Sequence, residues 1–348
     1  MSAAHPIRRG WDRLRRLPHA PPRARPEIPR MTASPPTYEV VQVHPERASD
    51  AMSALLGAGP AAAARFVQQA KSASIRLDLI WCLADQAGRY RMAVLAVPSP
   101  GRTAMLVASH ARNSDDVANL GRAVSVAAEG CRADADLAQA LVDPALPLDV
   151  ASFEAGGLRR MATLDYLERG LPRSGTLAPP EAPAGWTIEP AAPRDLLDGG
   201  DPAALGAARR AELIALLEST YVDTMDCPGL AGMRATADVL DGHFGSGARR
   251  RHWLVAREDG AARGVCLLNT SPDGTSAELA YFGVAPSARG RGIARVLLAF
   301  GLHACSAART ASVSLAVDSR NTPAKLLYET HGFRKTISRI ALVKPLRS

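Results

Sequence analysis

The segment 278–298, ELAYFGVAPSARGRGIARVLL, joins a strand-like run to an amphipathic run through a turn that holds Gly290 and Gly292. A strand that leads through glycines into a helix start constrains its surroundings closely. The first backbone N–H groups of a helix have no partner within it, and with the helix dipole they form an anion site. Glycines let the backbone come close to that anion. Arg289 and Arg291 add positive charge, so RGRGIA at 289–294 reads as a pyrophosphate cradle. No Lys-Ser/Thr pair follows, which excludes a P-loop, and GxGxxG is missing, which excludes the dinucleotide fingerprint.

The flanking pattern predicts the rest of an α+β domain. WTIEPA (186–191), HWLVARE (252–258), GVCLLNT (264–270), ELAYFGVA (278–285) and SVSLAVD (312–318) read as strands, and FRKTISRIALVKPL (333–346) closes with alternating strand character. Residues 207–220, 232–244 and 293–308 have helical spacing of apolar residues. TPAKLLYETHG (322–332) is a helix with Pro in its first turn and Gly at its end. The order β-α-α-β-β-β-α-β-α-β predicts one mixed, mostly antiparallel sheet flanked by helices.

Upstream, LPRSGTLAPPEAPA (171–184) reads as a linker between a domain at 38–170 and one at 185–348. The first domain repeats the rhythm coarsely. YEVVQV, LDLIWCLAD, YRMAVLAV and TAMLVAS are strand-like, while 47–73 and 115–130 are helical. FEAGGLRR (153–160) aligns with YETHGFRK (328–335) at an offset of 175 residues (328 against 153). That offset sets Phe153 on Tyr328, Thr103 on Glu278, and Asp115 and Val117 on Gly290 and Gly292. The chemical residues are not repeated, so the first domain is expected to be a degenerate copy.

The net charge of +8 is mostly a tail property, since residues 1–30 hold eight arginines against Asp12 and Glu27. Residues 1–37 are expected to be a disordered Arg/Pro-rich tail. Three readings of the tail stay open: a stretch ahead of a true start at Met31, a solvated or nucleic-acid-contacting arm, and a targeting peptide. The remaining chain is close to neutral, so nucleic acid is not an expected partner. No apolar run reaches the length of a membrane span. Five scattered cysteines without a CxxC argue against a structural zinc site and for a reducing compartment, the cytoplasm. Oligomeric state is not encoded in any of these features.

Two blocks of residues together resemble the GNAT superfamily of acyl-CoA-dependent N-acyltransferases. The coenzyme A signature is met by Arg289, Gly292 and Ala294, and N-x-x-A-x-x-L-Y-x-x-x-G-F by Asn321, Ala324, Leu327, Tyr328, Gly332 and Phe333. The resemblance covers 185–346 and implies two GNAT-like domains in tandem. It implies acetyl-CoA as acyl donor, with no metal, and a small-molecule or peptide amine as acceptor. Acetyl-CoA would lie on Gly290, Arg291, Gly292, Ile293 and Ala294, with Arg289 and Asn321 alongside, and Phe282, Gly283 and Val284 pairing its pantetheine arm. Glu278 falls on the family's general base and Tyr328 on its general acid. Their plain alternatives are a strand-edge carboxylate and a core tyrosine. The irregular connection at 220–232, with Tyr221, Asp223 and Asp226, is the expected acceptor site. A non-catalytic acyl-CoA-binding sensor is the alternative to an enzyme.

Overall fold

A computed structural model describes residues 38–72, 75–172, 176–245 and 251–347 of the chain. The Arg/Pro-rich stretch 1–37 lies outside the described residues, as do 173–175 of the expected linker. In the first half the strands are β1 (Glu39–Gln42), β2 (Ile80–Ala84), β3 (Tyr90–Ser99), β4 (Thr103–Ala108), β5 (Leu137–Val142) and β6 (Arg159–Gly170). Its helices are α1 (Ala48–Leu56), α2 (Pro60–Ser72), α3 (Ser114–Gly130) and α4 (Pro147–Ala155). The second half has strands β7 (Trp186–Pro190), β8 (Arg251–Glu258), β9 (Ala261–Thr270), β10 (Ser276–Val284), β11 (Ser312–Asp318) and β12 (Arg334–Pro345). Its helices are α5 (Arg194–Leu197), α6 (Ala207–Tyr221), α7 (Thr236–Phe244), α8 (Ile293–Ala307) and α9 (Thr322–Thr330). Every strand and long helix expected in the second half forms. The offset of 175 carries α4 onto α9 and β6 onto β12 without a gap.

The two expected sheets are one. All twelve strands pair in the order β1-β2-β3-β4-β5-β12-β6-β11-β10-β9-β8-β7. Only β4–β5 and β10–β11 run parallel; the other pairs are antiparallel. The last strand of each half has crossed over. β12 pairs with β5, β6 pairs with β11, and the two crossed strands pair with each other at the centre. Their register is symmetric, with Glu168 opposite Arg334 and Arg159 opposite Val343.

The crossing is driven by what each strand buries. Leu342 and Leu346, from the second half, sit in the core of the first half with Val142, Phe153 and Leu158. Leu167 and Leu171, their counterparts from the first half, sit in the core of the second with Leu315, Tyr328 and Phe333. Each core is therefore completed by leucines from the other half. Charges reinforce the exchange. Asp165 on β6 is buried, and Lys325 and Lys335 of the second half bond it at 2.9 and 2.6 Å. Burial alone would raise its pKa, but the Lys335 and Lys325 ammonium groups and Ser338 hold it below the usual carboxylate range. Fragments 38–170 and 185–348 should each be unstable alone, because each lacks a central strand that its core requires. Co-expressed, they should co-purify as a folded pair. Two separately folded, monodisperse fragments on size exclusion would contradict the strand exchange.

The described part of the connection is not a free tether. Leu171 N–H donates to the Ala311 carbonyl at 2.8 Å, and Leu177 N–H donates to Ser306 Oγ at 3.0 Å. His303 Nδ1 lies 2.8 Å from the Leu177 carbonyl, which fixes this imidazole in a structural role. No helix among the described residues is long and apolar enough to cross a membrane.

Candidate active site

The site grows from a gap in the sheet. β10 and β11 pair only at Ser276–Glu278 with Ser312–Ser314 and then part. Beyond that point β10 stays bonded to β9, with Phe282 opposite Cys266, Gly283 opposite Val265 and Val284 opposite Gly264. Its other edge, from Phe282 to Val284, faces the gap without a partner strand. A bulge between Leu279 and Tyr281 bends the strand as it leaves. Gly283 is glycine for packing: a Cβ there would stand 2.7 Å from the Thr220 side chain.

The gap opens onto the glycine turn. A 3-10 turn at Pro286–Ala288 precedes it, and Gly292, at φ +82°, caps α8. Gly290 also has positive φ, at +74°, and a Cβ on either glycine would meet nothing within 4 Å. The surface above both glycines is therefore open. Arg289 N–H is used by the Pro286 carbonyl. From Gly290 to Ala294 no backbone N–H donates to a carbonyl of the described residues. These five donors, with the α8 dipole, suit an anion.

The two arginines do not add their guanidinium groups to that surface. Arg289 turns inward and donates to the carbonyls of Val284 at 3.0 Å, Thr220 at 3.2 Å, Val222 at 2.7 Å and Asp223 at 3.3 Å. It fastens the end of α6 to the end of β10, so the expected charge contribution becomes a scaffold. Arg291 makes a two-bond ion pair with Glu258.

Tyr328 on α9 lies on the face of the sheet beneath the gap. It is 7 % exposed, and its ring stands edge-on to Phe282 at 6.4 Å and Phe333 at 5.8 Å. Burial, followed by the Asp226 charge, pushes its phenol well above the usual tyrosine value, so it stays protonated. Asn321 caps α9 by accepting Ala324 N–H at 3.3 Å, a sufficient reason for its identity. Glu278 is half-buried at the last paired position of β10, between Asn269 and Ser314, where the strands begin to part.

The expected acceptor residues separate. Asp223 is exposed, with φ +51°. Asp226 Oδ1 accepts the Asp318 N–H at 2.8 Å, which ties the 220–232 connection to the end of β11. Tyr221 packs edge-on against Tyr281 at 5.7 Å, and its hydroxyl is buried without a partner among the described residues. Cys227 is buried and its thiol is pushed up to about 12 by desolvation, as suits a packing residue rather than a nucleophile. Three groups escaped the sequence reading, namely Arg234, His243 and Asn269, because nothing local marks them.

The first half opens the same gap and then fills it. β4 and β5 pair only from Thr103 to Met105 and then part. Where the glycine turn would lie, Asp149 Oδ1 accepts Ala111 N–H at 2.9 Å and Asp116 Oδ2 accepts Arg112 N–H at 3.0 Å. Asn113 caps α3 by accepting Asp116 N–H at 2.9 Å. The backbone donors there are taken up by two carboxylates, which are themselves paired, Asp149 with His110 and Asp116 with Arg112. Among the described residues no group of His, Cys, Asp or Glu is arranged to hold a metal ion.

Residues 217–333, which span this gap, turn and helix, match the acetyltransferase (GNAT) family. That match covers about a third of the chain. A mycothiol acetyltransferase of Thermomonospora curvata is 40 % identical over 82 residues, 24 % of this chain and 27 % of that protein. The match thus spans about a quarter of the length of that relative. In fold, a GCN5-related N-acetyltransferase of Sphaerobacter thermophilus aligns over 90 % of this chain and 96 % of its own, at TM-score 0.53 and 17 % identity. A tandem GNAT protein from the clavulanic acid biosynthesis pathway aligns over 89 % and 99 %, at TM-score 0.50 and 18 % identity. At such identities these two similarities concern the fold alone.

Proposed function

We propose that this chain is an N-acetyltransferase that moves the acetyl group of acetyl-CoA directly onto a primary amine, using the second half only. The observation that carries this reading is the parting of β10 from β11 onto a glycine turn whose N–H groups are unpartnered. The N–H groups of Gly290–Ala294 would hold the pyrophosphate, and the free edge at Phe282–Val284 would pair the pantetheine arm as an added strand. The bound donor supplies an acetyl group activated as a thioester.

The residues then divide three tasks. Glu278 takes the proton that the amine loses as its C–N bond forms. Backbone N–H near Val284 steadies the carbonyl oxygen. Tyr328 gives a hydrogen bond, and at the end a proton, to the sulfur as the C–S bond breaks. A phenol kept protonated by burial is suited to that donation. The first half, 38–170, with its filled gap, binds no acetyl-CoA and serves as scaffold and wall, joined through 171–184 to the catalytic half at 185–348. Five buried thiols are consistent with a reducing compartment such as the cytoplasm.

Gly292→Val is the direct test. The side chain would enter the open surface, and φ +82° is unfavourable for a branched residue. Acetyl-CoA affinity by calorimetry should fall about tenfold or more, the worth of one charge-assisted hydrogen bond. Affinity within about twofold of wild type in a folded variant would place the donor elsewhere.

A further inference from the structure

The face of the sheet opposite Tyr328 carries polar groups that acetyl transfer leaves unused. Ala277 and Leu279 turn into the core containing Tyr328, so alternation along β10 turns Glu278 the other way, toward α6 and α7. Its cross-strand partner Asn269 accepts the Trp253 indole N–H at 2.8 Å and donates Nδ2 to the His243 carbonyl at 3.3 Å. The Tyr281 ring joins the group, 5.7 Å from Tyr221 and 6.1 Å from His243. The Tyr221 hydroxyl and His243 Nε2 are both buried, and neither has a hydrogen-bond partner among the described residues.

Arg234, just ahead of α7, acts on both. Burial, then the Arg234 charge, brings the His243 imidazole down to about 3, so it is neutral. Burial holds the Tyr221 phenol up at about 12, so it is neutral too, with Arg234 opposing part of the rise. Among the described residues the Arg234 guanidinium has one hydrogen bond, from Nη1 to the Gly101 carbonyl at 3.3 Å. Burial lowers its pKa, and Asp238 in the first turn of α7 opposes part of that fall without an ion pair to it among the described residues. Gly101 belongs to the β3–β4 turn of the first half, which abuts α7 so closely that a Cβ there would stand 2.6 Å from the Asp238 carbonyl oxygen. The first half thus braces the guanidinium.

A partly buried guanidinium that forms no ion pair and has only Asp238 acting on it at longer range, beside an unpartnered phenol and a neutral imidazole, is unfinished. A guanidinium fork matches a carboxylate, and one positive charge balances one negative charge. We infer that the acceptor amine also carries a carboxylate, which Arg234 binds beside Tyr221 while the amine faces Glu278. The inference rests on the acetyl-transfer reading and narrows it to amino-acid-like acceptors.

The full chain, saturated with CoA, would be titrated calorimetrically with individual amino acids and with the same amino acids as carboxamides. Thiol release would be followed in parallel with acetyl-CoA. The acids should bind about tenfold or more tightly than their amides. Arg234→Gln should abolish that preference without changing acetyl-CoA affinity or the melting temperature, and Arg234→Lys should restore part of it. Equal or tighter binding of the amides, no saturable binding of either set, or an unaltered preference in Arg234→Gln overturns the inference. A carboxylate preference without thiol release would support the anion site and defeat the transfer reading; thiol release without the preference would do the reverse.

Discussion

Tyr328→Phe should slow single-turnover acetyl transfer by on the order of 10²-fold or more at saturating acetyl-CoA, the usual range for a lost general acid. Cofactor affinity should stay within about twofold, because the ring contacts to Phe282 and Phe333 do not involve the hydroxyl. The fold should tolerate the change as well. Phe153 already occupies the matching place in the first half and is buried in its core. Since burial holds the phenol protonated, Tyr328 should put no alkaline limb on the rate profile below its ordinary value of about 10. The measurement is rapid-quench transfer to the best acceptor for both forms. An unchanged rate would return Tyr328 to the role of a core residue and leave protonation of sulfur to water or the acceptor.

Leu342→Ala should destabilise the half to which Leu342 does not belong by sequence. The side chain is fully buried in the core formed by α3, α4 and β2–β5. Truncation of such a leucine costs about 2–5 kcal/mol through lost transfer energy and a residual cavity. Hydrogen exchange should therefore show β2 through β5 losing protection, and Leu167→Ala should do the same to β10, β11 and α8. Loss confined to each mutated strand's own half would mean that the last strands are not exchanged. A single denaturation midpoint, reported alike by Trp81 in one core and Trp253 in the other, should accompany both changes.

The sequence alone carried the local chemistry of this protein. Gly290 and Gly292 announced a turn into a helix start that lets the backbone come close to an anion. Pro323 and Gly332 bounded α9, and alternation marked β8 through β11. The offset of 175 exposed the repeat and set Phe153 on Tyr328, but the helix start is shifted by four residues, so that Asn113 rather than Val117 stands at the cap that Gly292 fills.

What lay beyond the sequence is all non-local. β6 and β12 have alternation that would suit several neighbours, and their crossing is decided by which core receives Leu167 and Leu342. The guanidinium of Arg289 could be placed near an anion by its position, but four carbonyls gathered from α6 and β10 set its direction. The irregular connection 220–232, with Tyr221, Asp223 and Asp226, is where the sequence puts the acceptor. The groups left unsatisfied are Tyr221 of that connection with Arg234 and His243 from outside its acids, brought around Tyr281 by the packing of α6 and α7 on β10. Local pattern determines which elements form and where a turn can bind an anion. The burial of side chains distant in the chain decides which strands meet and which charge is left without an ion pair, because those energies exist only once the chain is folded.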